Sequence, residues 1–211
     1  HMSRIAEELI IWNSDAFNLI KLSDNIVTGS SVMPQKKNPD LLEYLRGKTG
    51  YIYGNFFSML TILKGLPLSY FKDLQDDKEI VFKANDVLLN CLKILNEIIK
   101  NFSPNKKKMI ELAQKGYLTA TDLADYLVKN HSVSFREAYH KTASIVNFAE
   151  KKNKKLDELT IAELKKIEPK LTKDVLKIFD LKHSVNAKKS YGGTSFANIK
   201  KMIKTYKKLY E

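Results

Sequence analysis

The chain has 211 residues, a formal net charge of +12 at pH 7 and an apolar content of 44%. This length is enough for one or two domains with a hydrophobic core. Eight glycines and five prolines are few, so the composition favours helices over a turn-rich β fold. The single cysteine, Cys91, predicts a reducing compartment, and we expect a cytoplasmic protein. No apolar run reaches the roughly 20 residues of a membrane-spanning helix, so we expect no membrane partner.

Three long helices are predicted in the first half of the chain. Apolar residues spaced by three and four predict helices from Ser3 to about Leu19, from Pro39 to about Lys64 and from Asp77 to about Asn101. Helices that are apolar over so much of their surface are usually buried among other helices. We therefore expect an oligomer, absent helices, or both. His1-Met2 is typical of residues left by cloning, so we expect the natural sequence to begin elsewhere.

Three glycines share one face of the second predicted helix. Gly47, Gly50 and Gly54 are spaced by three and four residues. A glycine inside a helix costs roughly 1 kcal/mol relative to alanine. Their common face therefore predicts that another helix packs very close to them.

The second half of the chain has shorter elements with helix-capping signals. No strand pattern persists, so the predicted fold class is all-α. A long-helix bundle portion, residues 1–112, precedes a small helical domain, residues 113–211. The signals are a helix that begins at Ser103-Pro104 and ends at Gly116, a cap at Thr119 or Thr121, capping boxes at 134–137 and 160–163, and a last helix from Phe196 to about Leu209.

The loop from Thr28 to Asp40 concentrates polar groups before the second helix. Asn38 is predicted as its N-cap, with Pro39 at the first helical position. A helix start offers unpaired N–H groups and a positive dipole, and Lys36 adds an ammonium group, so the loop predicts a carboxylate or phosphate receptor. The same charges would stabilise a serine alkoxide at Ser30. Proton abstraction next to a carboxylate is therefore a natural reaction here.

Three other interpretations of this loop stay open on composition and spacing alone. The loop could be a plain connection with a solvated lysine pair. It could bind phosphate, although no Gly-x-x-x-x-Gly-Lys-Ser motif is present and no predicted strand precedes it. Ser30 could also be an acyl nucleophile, although the chain lacks a Gly-x-Ser-x-Gly elbow at that point.

The segment Gly29–Asp40, followed by Glu43, closely resembles the signature of the fumarase/aspartase superfamily, and Pro34–Asp40 is similar to the argininosuccinate lyase branch. The resemblance covers nearly the whole chain. Phe71 and Ser195 depart from the residues common in the family. Further similar stretches are residues 64–68, 70–79, 120–128, 135–138 and 191–194.

The resemblance implies a role for several residues. Ser30 aligns with the general base, and Lys36 and Asn38 align with residues that hold the substrate carboxylate and the carbanion-like intermediate. Glu43 aligns with a carboxylate that orients a catalytic histidine. The implied substrate-binding residues are Ser31, Tyr70, Lys72, Gln75 and Lys78. For Lys72 and Lys78, surface charge is the interpretation that the residues alone favour.

The resemblance also implies an activity and an assembly. Members of this branch eliminate fumarate from argininosuccinate to leave arginine, the last step of arginine biosynthesis, without a cofactor or metal. Their sites are built from several subunits of a homotetramer. Family members carry the signature well past the middle of their chains, so we expect about half of an enzyme to be absent here, including the catalytic histidine. The chain alone is then expected to have little or no activity.

Alternatives remain within and outside this superfamily. Adenylosuccinate lyase or aspartase chemistry fits the loop less well. A non-catalytic structural relative, like the lens crystallins related to this branch, would have kept the fold alone. A basic nucleic-acid binder is suggested by the net charge, but the lysines are spread over many helices, so we expect no nucleic-acid partner. Cys91 is predicted to be a core residue, and His131, His140 and His183 are assigned no catalytic role.

Overall fold

The computed structural model describes residues 1–210, which form two compact units divided between Met109 and Ile110. The sequence prediction placed this boundary near residue 112. Helices dominate both units, and the prediction of a helical fold is confirmed. The helices are α1 Met2–Asn13, α2 Asp40–Leu63, α3 Asp77–Lys100, α4 Lys106–Ala113, α5 Ala120–His131, α6 Phe135–Lys151, α7 Ile161–Lys165, α8 Leu181–Ala187 and α9 Phe196–Tyr210.

Four short strands accompany these helices, although no strand pattern was found in the sequence. β1 pairs with β4 and β2 pairs with β3, both antiparallel. Each strand has only two or three residues, which is too short for an alternating pattern to emerge. The strands are β1 Ile20–Leu22, β2 Thr28–Gly29, β3 Lys37–Asn38 and β4 Phe102–Pro104. Short 3-10 helices span Asp24–Ile26, Lys72–Gln75, Leu156–Glu158 and Lys173–Phe179.

The first helix ends earlier than predicted. α1 stops at Asn13, and Ser14 has extended backbone angles, so the prediction that the helix continues to Leu19 is wrong. Asn18 then adopts a left-handed conformation, with φ of 48°, and the chain enters β1. Pairing of β1 with β4, about 80 residues later in the chain, fixes this segment as extended. A tertiary contact thus overrides the apolar spacing, which carries no information about a partner so distant in sequence.

The α2–α3 hairpin is the frame of the first unit. Both helices have 24 residues and therefore span about 36 Å. Their observed bounds lie within one residue of the predicted ones. They pack against each other in antiparallel orientation. The end of α3 lies near the start of α2, because the Ser23 hydroxyl, shortly before the β2–β3 pair, donates to the Asn101 carbonyl. α1 also packs on α2, and the core of this unit is formed by Ala6, Leu9, Ile20, Leu22, Ile26, Leu42, Leu45, Cys91 and Ile98.

The glycine face of α2 has no close neighbour. A Cβ atom placed on Gly47, Gly50 or Gly54 meets no atom within 4 Å. The prediction that a helix packs tightly against these glycines is therefore wrong for the described residues. Both helices of the hairpin also expose large apolar side chains, among them Tyr53, Phe56, Phe57, Leu60, Val81, Phe82, Leu89 and Leu92.

The second unit packs α5 and α6 with short helices around a continuous core. α5 contacts α6, and the 3-10 helix Lys173–Phe179 also packs on α5. Thr119 occupies the N-cap position of α5, but its hydroxyl accepts no capping hydrogen bond. The core residues are Leu123, Ala124, Leu127, Ala138, Ile145, Ala149, Leu156, Leu159, Leu164, Leu171, Val175 and Phe179.

Two of the predicted capping signals need correction. Ser103 and Pro104 lie in β4, so they do not begin a helix. Asn105 does so instead, because its side-chain oxygen accepts from the Lys108 N–H at 3.2 Å. At residues 134–137, the Ser134 hydroxyl accepts from the Glu137 N–H, but the Glu137 carboxylate pairs with Lys141. At residues 160–163 both bonds of the capping box are present.

Candidate functional site

The segment from Thr28 to Asn38 forms a two-stranded β-hairpin with a connecting loop. β2 and β3 pair Thr28 with Asn38 and Gly29 with Lys37. The next positions beyond this ladder are Ser30 and Lys36, which therefore stand on opposite arms at the mouth of the loop. The hairpin brings together the proposed base and one of the proposed carboxylate-binding residues, which are six positions apart in sequence.

Side-chain bonds anchor the base of this hairpin. The Thr28 hydroxyl donates to the Asp40 carboxylate in the first turn of α2. The Lys37 ammonium donates to the Asp24 carboxylate and forms an ion pair with it. This hydrogen bond is the largest of the effects that lower the pKa of Asp24. The Asn38 amide donates weakly to the Gly29 carbonyl at 3.5 Å. These bonds join both arms of the hairpin to their surroundings.

Asn38 does not cap α2. It lies in β3, Pro39 occupies the N-cap position, and the helix begins at Asp40. The capping prediction is therefore wrong, because pairing with Thr28 holds Asn38 in an extended conformation. Its side chain stays beside the loop and is half-buried. The Pro39 carbonyl accepts from the N–H groups of Leu42 and Glu43, which completes the first turn.

The Ser30 hydroxyl accepts two backbone hydrogen bonds. The donors are the N–H groups of Val32 at 3.2 Å and Met33 at 3.1 Å. Two converging N–H dipoles favour a negative charge on the oxygen that they contact. Ser30 is half-buried, whereas the following loop residues, Ser31 to Lys36, are exposed. The loop therefore places two backbone donors at the Ser30 hydroxyl, while its own outer side is exposed to solvent.

The two adjacent lysines of the loop have different environments. Lys37 is held by Asp24, whereas the Lys36 ammonium has no ion-pair partner within residues 1–210. The Lys36 backbone N–H donates to the Met33 carbonyl at 3.0 Å, so the backbone of the loop is closed by a turn. Lys36 is therefore the cation of this loop that is available to an external anion.

Glu43 lies in the first turn of α2, and its side chain is exposed. Arg46 follows three residues later on the same helix. Its Nη1 atom donates to Glu7 Oε2 of α1 at 2.6 Å. The Glu7 hydrogen bond is the largest cause that raises the pKa of Arg46, and the charge of Glu43 adds to it from farther away.

The remaining predicted residues lie together at the far end of the α2–α3 helical hairpin, where α2 ends and α3 begins. Tyr70, Lys72 and Gln75 are in or next to the 3-10 helix before α3, and all three are exposed. Lys78, in the first turn of α3, donates to the Leu74 carbonyl at 3.2 Å and to the Asp77 carboxylate at 2.7 Å. This hydrogen bond to Asp77 is the largest cause that raises the pKa of Lys78.

The structure therefore divides the predicted site residues into two groups. The first contains Ser30, Ser31, Lys36, Asn38 and Glu43 at the start of α2. The second contains Tyr70, Lys72, Gln75 and Lys78 beyond its end. The length of α2 separates the groups by about 36 Å. One copy of the first unit does not bring them to a common substrate.

Other reactive side chains show no sign of a second site. Cys91 is buried, as predicted, and burial raises the pKa of its thiol. No cluster of three or more histidine, cysteine, aspartate or glutamate side chains among residues 1–210 could hold a metal ion. In the same part of the chain, no helix combines the length and apolar content needed to cross a membrane.

Three side chains that the sequence interpretation missed support the loop and the start of α2. Asp24 holds Lys37, Asp40 accepts from Thr28, and Glu7 holds Arg46. Asp24 and Glu7 lie 13 and 39 residues from their partners. No local spacing rule links residues that far apart, so only the fold shows these contacts.

Two family models match the chain. The model of the argininosuccinate lyase C-terminal region matches residues 117–186, and a lyase model matches residues 1–54. The argininosuccinate lyase of Pelagibacter ubique is 76% identical over 208 residues, which are 99% of this chain and 45% of that protein. The chain belongs to the argininosuccinate lyase family. The enzyme of Nitratiruptor sp. is 51% identical over 211 residues, which are 100% of this chain and 46% of that protein.

Solved structures of related lyases have the same fold. An EDDS lyase in complex with formate matches 97% of this chain and 42% of that protein, at 25% identity and a TM-score of 0.84. A class II fumarase from Schistosoma mansoni matches 85% of this chain and 36% of that protein, at 21% identity and a TM-score of 0.58. The chain spans less than half the length of the family members that it matches.

Proposed function

We propose that this chain contributes the base-carrying part of an active site that eliminates fumarate from argininosuccinate and leaves arginine. The observation that carries the proposal is the pair of backbone donors at the Ser30 hydroxyl, at the mouth of a hairpin that also presents Lys36. Family membership supports the reaction class. The free Lys36 ammonium supports an anionic substrate.

The first step would be removal of a proton from the succinyl carbon next to a carboxylate. An unassisted serine hydroxyl is too weak a base for this step. The N–H groups of Val32 and Met33 would stabilise the alkoxide form of Ser30, and the start of α2 adds a positive dipole. The alkoxide oxygen would take the proton and become a hydroxyl.

Negative charge would then gather on the substrate carboxylate. Lys36, and the Asn38 amide behind it, would stabilise this carbanion-like state. The electron pair left on carbon would form the C=C bond as the C–N bond breaks, and the guanidino nitrogen would keep the bonding pair and gain a proton from a general acid of the completed site. Fumarate and arginine would be the products. No step in this scheme requires a metal or a redox cofactor.

A complete site would need several polypeptide segments. The two groups of site residues lie about 36 Å apart along α2, so Tyr70, Lys72, Gln75 and Lys78 would serve a substrate held by the loop of another subunit. Glu43 would orient a histidine from polypeptide outside these 211 residues. A homotetramer of the family type would supply both requirements. We therefore propose that the isolated chain has little or no lyase activity.

A chimera tests the proposal. This chain would replace the matched 208 residues of the Pelagibacter ubique relative, and fumarate release from argininosuccinate would be followed by ultraviolet absorbance. We expect an active chimera and an inactive isolated chain. Ser30→Ala in the chimera should lower kcat by about 100-fold or more, as expected for the loss of a positioned general base.

Ser58→Ala provides the matched control, because Ser58 is an exposed serine in α2 whose hydroxyl only donates to the Gly54 carbonyl. This variant should keep the activity of the parent chimera. A folded and tetrameric chimera that lacks lyase activity would contradict the proposed function. Full activity of Ser30→Ala would contradict the role of the base.

A further inference from the structure

Arg46 is placed to pair with Glu43 but does not do so. Residues three apart on a helix are neighbours, and opposite charges at that spacing commonly pair. Here the Arg46 guanidinium turns to α1 and donates from Nη1 to Glu7 Oε2 at 2.6 Å. Both partners are about half exposed. Glu7 therefore competes with Glu43 for the same cation, and in this structure Glu7 holds it.

Other charged groups near the start of α2 are also engaged. Asp40, one turn before Glu43, accepts from Thr28, and Lys37 of the adjoining hairpin is held by Asp24. The Glu43 carboxylate makes no hydrogen bond or ion pair with any residue in the range 1–210. An exposed carboxylate with unused acceptor sites beside an arginine calls for an explanation, and the Glu7 contact gives one.

We infer that Glu7 is a positioning residue, which holds the Arg46 guanidinium on α1 and leaves the Glu43 carboxylate free to accept from the imidazole of the catalytic histidine. This inference rests on the proposed function only through the role of Glu43. A guanidinium fork bound to Glu43 would occupy the acceptor sites that an imidazole N–H needs. It would also place a fixed positive charge where the imidazolium form has to be stabilised.

The competition between Glu7 and Glu43 for Arg46 can be measured in the isolated chain, without an activity assay. The carboxyl carbon resonance of Glu43 would be followed through a pH titration in the parent chain, in Glu7→Gln and in Glu7→Gln/Arg46→Gln. Removing the Glu7 charge frees Arg46 to turn to Glu43, so the pKa of Glu43 should fall by about 0.2–0.4 units, the shift expected for a helix pair at this spacing. Adding Arg46→Gln should reverse this fall.

Glu8→Gln is the matched control. Glu8 is the next residue of α1, is exposed and has no side-chain hydrogen bond or ion pair within residues 1–210, so this variant makes the same charge change without releasing Arg46. It should leave the Glu43 titration unchanged. The charge-reversed variant Glu7→Arg/Arg46→Glu keeps an ion pair between α1 and α2 but places a carboxylate near Glu43, so the pKa of Glu43 should rise. An unchanged Glu43 titration in Glu7→Gln, with the fold intact by circular dichroism, would overturn the inference.

Activity of the chimera separates this inference from the proposed function. If Glu43 orients the histidine, Glu7→Gln should lower kcat with little change in KM, and Glu7→Gln/Arg46→Gln should recover part of the loss. A Glu43 titration that shifts as expected, in a chimera whose Glu43→Gln variant stays fully active, would contradict the role of Glu43 and leave the Glu7–Arg46 device intact. An unshifted titration would contradict the device, whatever the activity.

Discussion

Lys36 and Lys37 are adjacent in sequence but differ in what holds them. Lys37 belongs to β3 and pairs with Asp24, whereas Lys36 lies in the exposed loop. The ion pair joins two exposed side chains, so its contribution to stability is small. Its position at the base of the hairpin nevertheless lets it limit the opening of the loop that carries Ser30.

Asp24→Ala should therefore loosen the loop. We expect trypsin to cleave after Lys36 or Lys37 up to about five times faster than in the parent chain, as expected for the loss of one exposed ion pair. Asp15→Ala, which removes an exposed aspartate without an ion-pair partner among residues 1–210, is the control. Equal cleavage rates in all three proteins would show that Asp24 does not restrain the hairpin.

A second residue-scale prediction concerns Glu163 of the second unit. Its carboxylate accepts from the Thr160 N–H, from Lys152 and from Lys154, and the Thr160 backbone bond is the largest cause that lowers its pKa far below the ordinary value. A carboxyl group whose pKa is lowered by folding stabilises the fold above its unfolded pKa. That contribution is lost as the pH falls toward the folded pKa.

Glu163→Gln should accordingly lower Tm at pH 7, and the difference from the parent chain should shrink steadily as the pH falls below about 4, because the Glu163 carboxyl then binds a proton in the unfolded parent chain but not in the folded one. Glu150→Gln is the control, because Glu150 is exposed and its carboxylate has no hydrogen bond or ion pair in the described part of the chain. Thermal melts by circular dichroism across this pH range would measure both. A Tm difference that is constant with pH would contradict the electrostatic explanation.

At the scale of elements, the bounds of α2 and α3 could be predicted from the sequence, because their apolar spacing persists over more than 20 residues. The end of α1 and the start of α4 could not. Both are set by the pairing of β1 with β4, and the residues involved are far apart in the chain. The local cap formed by Thr160 and Glu163, three residues apart, could be predicted in full.

The residues of the candidate site also differ in whether the sequence alone could reveal them. Ser30, Lys36 and Asn38 could be located from one continuous motif, and the β2–β3 ladder explains how they meet. The partners Asp24 and Glu7 could not be found, because a salt bridge between distant elements leaves no local pattern. The distance between Tyr70 and Ser30 also follows only from the structure, because the length of α2 sets it.

The glycine face of α2 gives an element-scale prediction. In the isolated chain a Cβ atom at Gly50 meets nothing within 4 Å, so Gly50→Ala should stabilise the protein by about 1 kcal/mol through helix propensity alone. Gly193→Ala should do the reverse, because its Cβ would lie 2.5 Å from the Lys188 carbonyl oxygen. Urea unfolding of the isolated chain measures both, and a destabilised Gly50→Ala would show that another surface covers this face.

Residues 1–210 expose many large apolar side chains, which lie on α2 and α3 among other helices. Phe56 and Phe57 of α2 and Phe82 of α3 are each about 60% exposed or more, and many neighbouring apolar side chains are exposed with them. Contiguous apolar patches of this kind mark association surfaces. α2 and α3 are each continuous over 24 residues, so the patch is a property of the folded chain.

We therefore expect the isolated chain to self-associate. Size-exclusion chromatography with light scattering should give a mass above the 24.2 kDa of one chain, and the mass should depend on concentration. The double variant Phe56→Ser/Phe82→Ser should shift the population toward monomer, because each serine removes a large apolar side chain from the patch. Tyr139→Ser/Phe135→Ser, which removes two exposed aromatic side chains from α6 in the second unit, is the matched control and should leave the mass unchanged. A parent chain that runs as a monomer at every concentration would contradict the expectation, and it would require that the α2–α3 surface is stable in water without a partner.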